Sequence, residues 1–172
     1  MKIVKDDHRV TLRQWHAGLQ EKRGLRASLR HSKTVTDICL SEGFRSLLMQ
    51  THTLWKIDGQ EWRFTALGIT AALAAHVKSI DERQTFAAQL GQMTGNNPVM
   101  SELRFSRLSA VKTPDEPLRQ LLRAVRLLNG AVNPPSLPDD VVHWCRVNDQ
   151  LLHPFRRQHR TTYFIPLPFS PA

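Results

Sequence analysis

The residues in this chain whose type and spacing could do chemistry are its arginines. Arg23, Arg26 and Arg30 stand at i, i+3 and i+7, so one helical face would present all three, and Lys22 and Lys33 extend the run without an intervening acid. Arg119, Arg123 and Arg126 share a face in the same way, opposite an apolar stripe of Leu118, Leu121, Leu122, Val125 and Leu128. Arg104 and Arg107 lie one turn apart, and Arg156, Arg157 and Arg160 cluster near the C-terminus. A guanidinium is a planar fork of donors that stays charged and grips two phosphate oxygens at once. A solvated helix face is the plainer reading of any single cluster, and Arg104 could instead pair with a carboxylate inside the fold. Acids are sparse around the clusters, which favours phosphate contacts over that reading for the set.

Other chemistries find little support. The eight histidines fall in no ligand pattern: there is no His-Glu-x-x-His and no Cys-x-x-Cys, so no metal or other cofactor is expected. Neither a phosphate-cradling glycine loop nor a Gly-x-Ser-x-Gly elbow is present. Asp6-Asp7 and Asp139-Asp140 read as charges at helix starts. His31, His153 and His159 neighbour arginines and could assist phosphate binding, whereas His76 lies on an apolar helix face and reads as a core histidine. Trp15, Trp55, Trp62 and Trp144 could stack on bases, but Trp15 and Trp144 sit in apolar stripes where core packing is the better account. A nuclease or other metal-dependent hydrolase is the remaining enzyme alternative, and the expectation is a protein without catalytic activity or small-molecule substrate.

The elements that must position these side chains are helical. Apolar residues recur at helical spacing through Leu12, Trp15 and Leu19, through Phe44, Leu47, Leu48 and Trp55, and through Ile69, Leu73, His76 and Val77, with no convincing run of alternating strands. Thr113-Pro114-Asp115-Glu116, Ser136-Leu137-Pro138-Asp139 and Ser79-Ile80-Asp81-Glu82 read as helix starts, and Asn129-Gly130 as a helix C-terminus. Pro154 should break or kink the last long helix. The segment from Gly91 to Pro98 is uncharged and rich in turn formers. The expected fold is therefore all-α, with helical lobes at 1–91 and 99–164, a linker at 92–98 and an extended proline-rich tail at 165–172.

Lys and Arg number 24 against 15 Asp and Glu, a net charge of +9 in 172 residues. The excess is spread, with 14 basic and 9 acidic groups before residue 87 and 10 and 6 after it. Such a surface attracts polyanions, with nucleic acid the leading partner class and a membrane surface the competitor. Only Cys39 and Cys145 are present, no apolar run is long enough to span a bilayer, and the N-terminus turns acidic where a signal peptide needs an apolar run. A reduced, cytoplasmic protein without a membrane partner is expected.

The order of these features resembles the CasB-type small subunit of the type I-E CRISPR Cascade complex. Trp15, Leu19, Gly24, Arg26, Ala27, Leu29 and Arg30 follow that family's N-terminal pattern. Ser101 to Leu108 (Ser-Glu-Leu-Arg-Phe-Ser-Arg-Leu) followed by the Leu118–Leu128 helix is the more specific part, and Trp144, Arg156, Arg157, Tyr163 and Phe164 occupy the places of its last helix. Two departures stand out: Leu122-Arg123-Ala124 has one arginine fewer than the family pattern, and Ser106 stands where a basic residue is common. The proline-rich end after Phe164 is a further one.

The resemblance implies a non-catalytic part in CRISPR antiviral defence. It implies two copies packed head to tail, bridging the backbone subunits and the large subunit, and helping to hold the crRNA–target DNA hybrid and the displaced strand of the R-loop. Strand exchange is nearly balanced in energy, so backbone contacts can tip it. Four arginine contacts to a single strand would weaken binding about fifty-fold between 50 and 200 mM salt. The arginines nominated for nucleic acid are those of the four clusters, with Lys33. A free-standing helical RNA- or DNA-binding protein, and a scaffold that touches no DNA, are the alternatives.

Overall fold

Residues 66–75 are apolar or small on every side, and a helix of that kind is stable only when surrounded. The computed structural model describes residues 6–55, 61–110, 113 and 115–152, with side chains at 6–51, 62–110, 113 and 115–145. In chain order its helices are α1 (Asp6–Glu21), α2 (Arg23–His31), α3 (Val35–Leu40), α4 (Glu42–Trp55), α5 (Glu61–His76), α6 (Phe86–Gly91), α7 (Glu102–Ser109), α8 (Asp115–Leu127) and α9 (Leu137–Leu152). The all-α expectation holds. The strands among the described residues are two residues long: β1 (Ser79–Ile80), β2 (Met93–Thr94), β3 (Asn97–Pro98) and β4 (Ala131–Val132).

Helix α5 is the axis. From Ala66 to Ala75 every residue is buried, and α9, α2, α3, α4, α8 and α1 pack around it. The core runs continuously from Leu12 to Cys145, so buried side chains on both sides of 92–98 meet in it. The 92–98 segment is a tight hairpin: β2 pairs antiparallel with β3, and Gly95 at φ 65° makes the turn. Trp15 is buried in the core and Trp144 packs half-buried against it.

The expected stripe of α8 is realised: Leu118, Leu121 and Val125 are buried while Arg119, Arg123 and Arg126 are exposed. Asn129 in the left-handed region (φ 54°) ends this helix, with the Gly130 N–H reaching back to the Val125 carbonyl at 3.0 Å. The Lys78 and Ser79 N–H groups donate to the Gly130 carbonyl at 2.9 and 3.3 Å, and β1 pairs in parallel with β4 just beyond. The ends of α5 and α8 are thereby clasped together.

Two of the expected helix starts resolve differently. Ser79-Ile80-Asp81-Glu82 begins no helix; Ser79 and Ile80 are β1, the Asp81 carboxylate takes Arg83, and α6 starts at Phe86 with Thr85 as its cap, accepting from the Ala88 N–H at 3.2 Å. The Asp81 N–H, which a cap at Ser79 could have served, goes instead to the Val132 carbonyl at 3.1 Å. Ser136 precedes α9 as expected but serves another helix, its Oγ accepting from the Phe86 N–H at 2.9 Å.

The aspartates at helix starts also tie elements together. Asp139 on α9 pairs with Arg9 on α1, and Asp140 accepts from the Ala87 N–H of α6 at 3.2 Å. Burial first, and then the neighbouring Asp139 charge, pushes the Asp140 carboxyl up to about 6. Pro154 and the 165–172 tail lie outside the described residues.

Candidate nucleic-acid interface

The C-terminal half of α2 lies across from the C-terminal half of α8 because both pack on α5. At the far end of α8, the Asp115 carboxylate accepts from the Val35 N–H at 2.7 Å, which fixes that helix against the start of α3. Between α2 and α8 runs an open groove lined by Ala27, Arg30 and His31 on one side and by Val125, Arg126 and Asn129 on the other. His76 and Lys78, at the end of α5, also line it, and no carboxylate among the described residues does.

The structure sorts the basic residues into three sets. Arg9, Arg13 and Arg83 pair with Asp139, Glu82 and Asp81, and none of these three is a nucleic-acid candidate. The nominated Arg23, Arg30, Lys33, Arg104, Arg107, Arg119, Arg123 and Arg126 are exposed, and none of them forms an ion pair among the described residues. The internal carboxylate weighed for Arg104 is accordingly absent there. Arg26 is different. It is half-buried and donates from Nε to the Ala75 carbonyl at 3.0 Å and from a terminal nitrogen to the Val77 carbonyl at 2.8 Å. Two of its five donors thus close the C-terminus of α5.

The groove brings Arg30 and Arg126 together from two of the clusters. Arg23 lies earlier on α2, Arg119 and Arg123 earlier on α8, and Arg104 and Arg107 are on α7; none of these lines the groove. Arg156, Arg157 and Arg160 lie outside the described residues. Sequence reading missed His76 and Lys78 as groove residues. No local motif marks them, since both reach the groove only through the clasp between α5 and α8.

Histidines complete the capping of α5. His76 Nδ1 lies 2.9 Å from the Ala72 carbonyl. His16 on α1 is hydrogen-bonded to the Ala74 carbonyl and lies 3.0 Å from the Gln20 amide nitrogen. Burial, ahead of the Arg26 charge, holds the His16 pKa below its ordinary value, against the Ala74 carbonyl that raises it. Burial also lowers His76, with Arg30, Arg126 and Arg26 adding to it and the Ala72 carbonyl opposing.

These directions fix a sign. A histidine whose folded pKa lies below its unfolded value of about 6.5 contributes stability that is present above that pH. The stability is lost as pH falls from about 6.5 toward the folded pKa. The raised Asp140 carboxyl works the other way over that window, so the contribution of His16 is read as a difference: the melting temperature of His16→Gln should fall less than that of the wild type as pH is lowered below about 6.5. An undiminished drop in the variant, followed by circular dichroism, would remove His16 from the account.

Among the described residues no three His, Cys, Asp or Glu side chains gather as a metal site, and no helix is long and apolar enough to cross a membrane. Among the described residues the groove offers cations without an opposing acid, which suits a polyanion backbone. Compared with known proteins, the chain matches the family model described as CRISPR-associated protein Cse2 over residues 25–164. No curated protein and no solved structure gives a significant match.

Proposed function

Since the chain belongs to the CRISPR-associated Cse2 family, the small subunit of type I-E Cascade, we propose that it acts there without catalysis, bridging neighbouring subunits and steadying the R-loop through phosphate contacts. In this reading it packs against the backbone and large subunits and a second copy of itself, in the cytoplasm. Its exposed arginines lie along the crRNA–target DNA hybrid and the displaced strand.

The single observation that supports phosphate contact most is the groove in which Arg30 and Arg126 face a common space, with no carboxylate among its described lining residues. Phosphate contacts position a protein on nucleic acid without reading its sequence. The test is Cascade reconstituted with Arg30→Ala and Arg126→Ala together. Target binding should weaken about tenfold at low salt, by a similar factor on unrelated targets. The slope of log affinity against log salt should become shallower by about 1.4, or 0.7 for each single-strand phosphate that is no longer neutralised. Unchanged affinity with impaired assembly would favour the pure scaffold, and a loss confined to particular sequences would argue against phosphate contact. Tight binding of naked nucleic acid by the isolated chain would favour the free-standing alternative.

A further inference from the structure

His76 stands where the charge of the groove converges. Its Nδ1 is 2.9 Å from the Ala72 carbonyl oxygen, a contact that places a proton on Nδ1. In the neutral ring Nε2 is then a bare lone pair. No described group bonds to that nitrogen, and the half-buried side chain lines the groove beside Arg30, His31, Lys78 and Arg126. The titratable groups that face it among the described residues are all basic. They are Arg26, Arg30 and His31 from α2, Arg126 from α8, and Lys78 just past its own helix, with His16 of α1 hydrogen-bonded to the Ala74 carbonyl two residues before it in the chain.

A lone pair repels an anion, so a neutral His76 would face a phosphate with the wrong end of its ring. A doubly protonated ring would donate to it. Two features already favour that form: the Ala72 acceptor and the position at the C-terminal end of α5, where the helix dipole is negative. What opposes it is partial burial and the uncompensated charge of Arg30, Arg126 and Arg26. A phosphodiester in the groove would offset that charge and supply the missing acceptor.

We propose that His76 is a phosphate ligand of this groove, donating from Nε2 once it has taken up a proton, so that seating a phosphodiester backbone and protonating one imidazole are linked. The inference rests on the reading of the groove as a nucleic-acid contact. Linkage sets the direction: a ring that is more basic in the complex makes affinity rise as pH falls. One linked proton limits the change to about tenfold per pH unit, levelling off below the pKa of the free ring.

The test uses the full chain at low salt with a short oligothymidylate carrying a pH-insensitive rhodamine dye, because thymine has no group that titrates between about pH 6 and 8. The wild type should bind about tenfold more tightly at pH 6 than at pH 8, and His76→Gln should lose most of that dependence. Equal pH dependence in wild type and His76→Gln would overturn the proposal. If it does so while Arg30→Ala with Arg126→Ala still weakens binding, only the role of His76 falls. If those arginine substitutions leave binding unchanged, the groove is not the contact and both readings fall. Should His76→Gln fail to fold, imidazole resonances of the wild type decide: oligothymidylate should raise the titration midpoint of His76, and an unmoved midpoint would refute the linkage.

Discussion

Gly43→Ala is expected to cost about 3 kcal/mol of folding stability, a fall in melting temperature of roughly 10 °C, from the addition of one methyl group. Gly43 is buried in the first turn of α4, where it faces α2. A Cβ at this position would lie 2.6 Å from both Cγ and Cδ1 of Leu29 and 2.7 Å from the Leu25 carbonyl oxygen. Leu29 is fully buried and has little room to swing aside, and a backbone carbonyl yields only if α2 moves. Gly18 and Gly24 are helical glycines with open space where a methyl would stand, since nothing beyond their own stretch of helix lies within 4 Å of either Cβ position. Alanine there should instead add about 0.5–1 kcal/mol each by restricting the unfolded chain. Thermal unfolding of the three variants checks both signs at once; a Gly43→Ala protein that melts at or above the wild type would contradict the close approach of α2 and α4.

The second large effect is expected at Arg26. Arg26→Ala should lower stability by about 2 kcal/mol, because two half-buried carbonyls at the end of α5 lose a charged donor. Lysine should restore only part of it, since one ammonium cannot reproduce a fork that spans the Ala75 and Val77 carbonyls. Arg30→Ala, at an exposed position without an ion pair among the described residues, should stay within about 0.5 kcal/mol of wild type. Urea unfolding would show a lower midpoint for Arg26→Ala at an unchanged slope. If Arg26→Ala unfolds like Arg30→Ala, the capping of α5 is not what holds this end of the molecule. The comparison matters for function too. In a test of the proposed DNA contact, an Arg26 variant would mix structural damage with lost charge, whereas Arg30 and Arg126 variants would report on charge alone.

Much of the helical scaffold is legible in the sequence because its signals are local. The stripe of α8 and its Asn129-Gly130 terminus depend on residues within a few positions of one another, and both are realised. The continuous apolarity of residues 66–75 likewise announces a surrounded helix. What escapes is whatever depends on distant chain. Ser79-Ile80-Asp81-Glu82 has the composition of a cap, yet pairing with residues 131–132 decides its conformation. His76 reads as a core histidine from its apolar neighbours, and only the approach of α2 and α8 turns its position into a groove wall. Arg26 and Arg30 belong to one spaced cluster in the sequence but have different surroundings, because the carbonyls that engage Arg26 lie about fifty residues later. Gly24 belongs to the recognisable motif and is sterically free, while the constrained Gly43 carries no sequence signal at all.

The clasp between Lys78, Gly130 and the β1–β4 pair also orders events during synthesis. Arg30 leaves the ribosome nearly a hundred residues before Arg126, and the carbonyl that receives the Lys78 and Ser79 N–H groups belongs to residue 130. Because α2 and α8 are so far apart in the chain, the wall-to-wall channel can close only after a long loop has been traversed, a slow kind of contact. A nascent chain that ends before residue 130 carries arginines on separate helices but no assembled channel. The groove between α2 and α8 is therefore acquired late, only after residues 126–130 have left the ribosome.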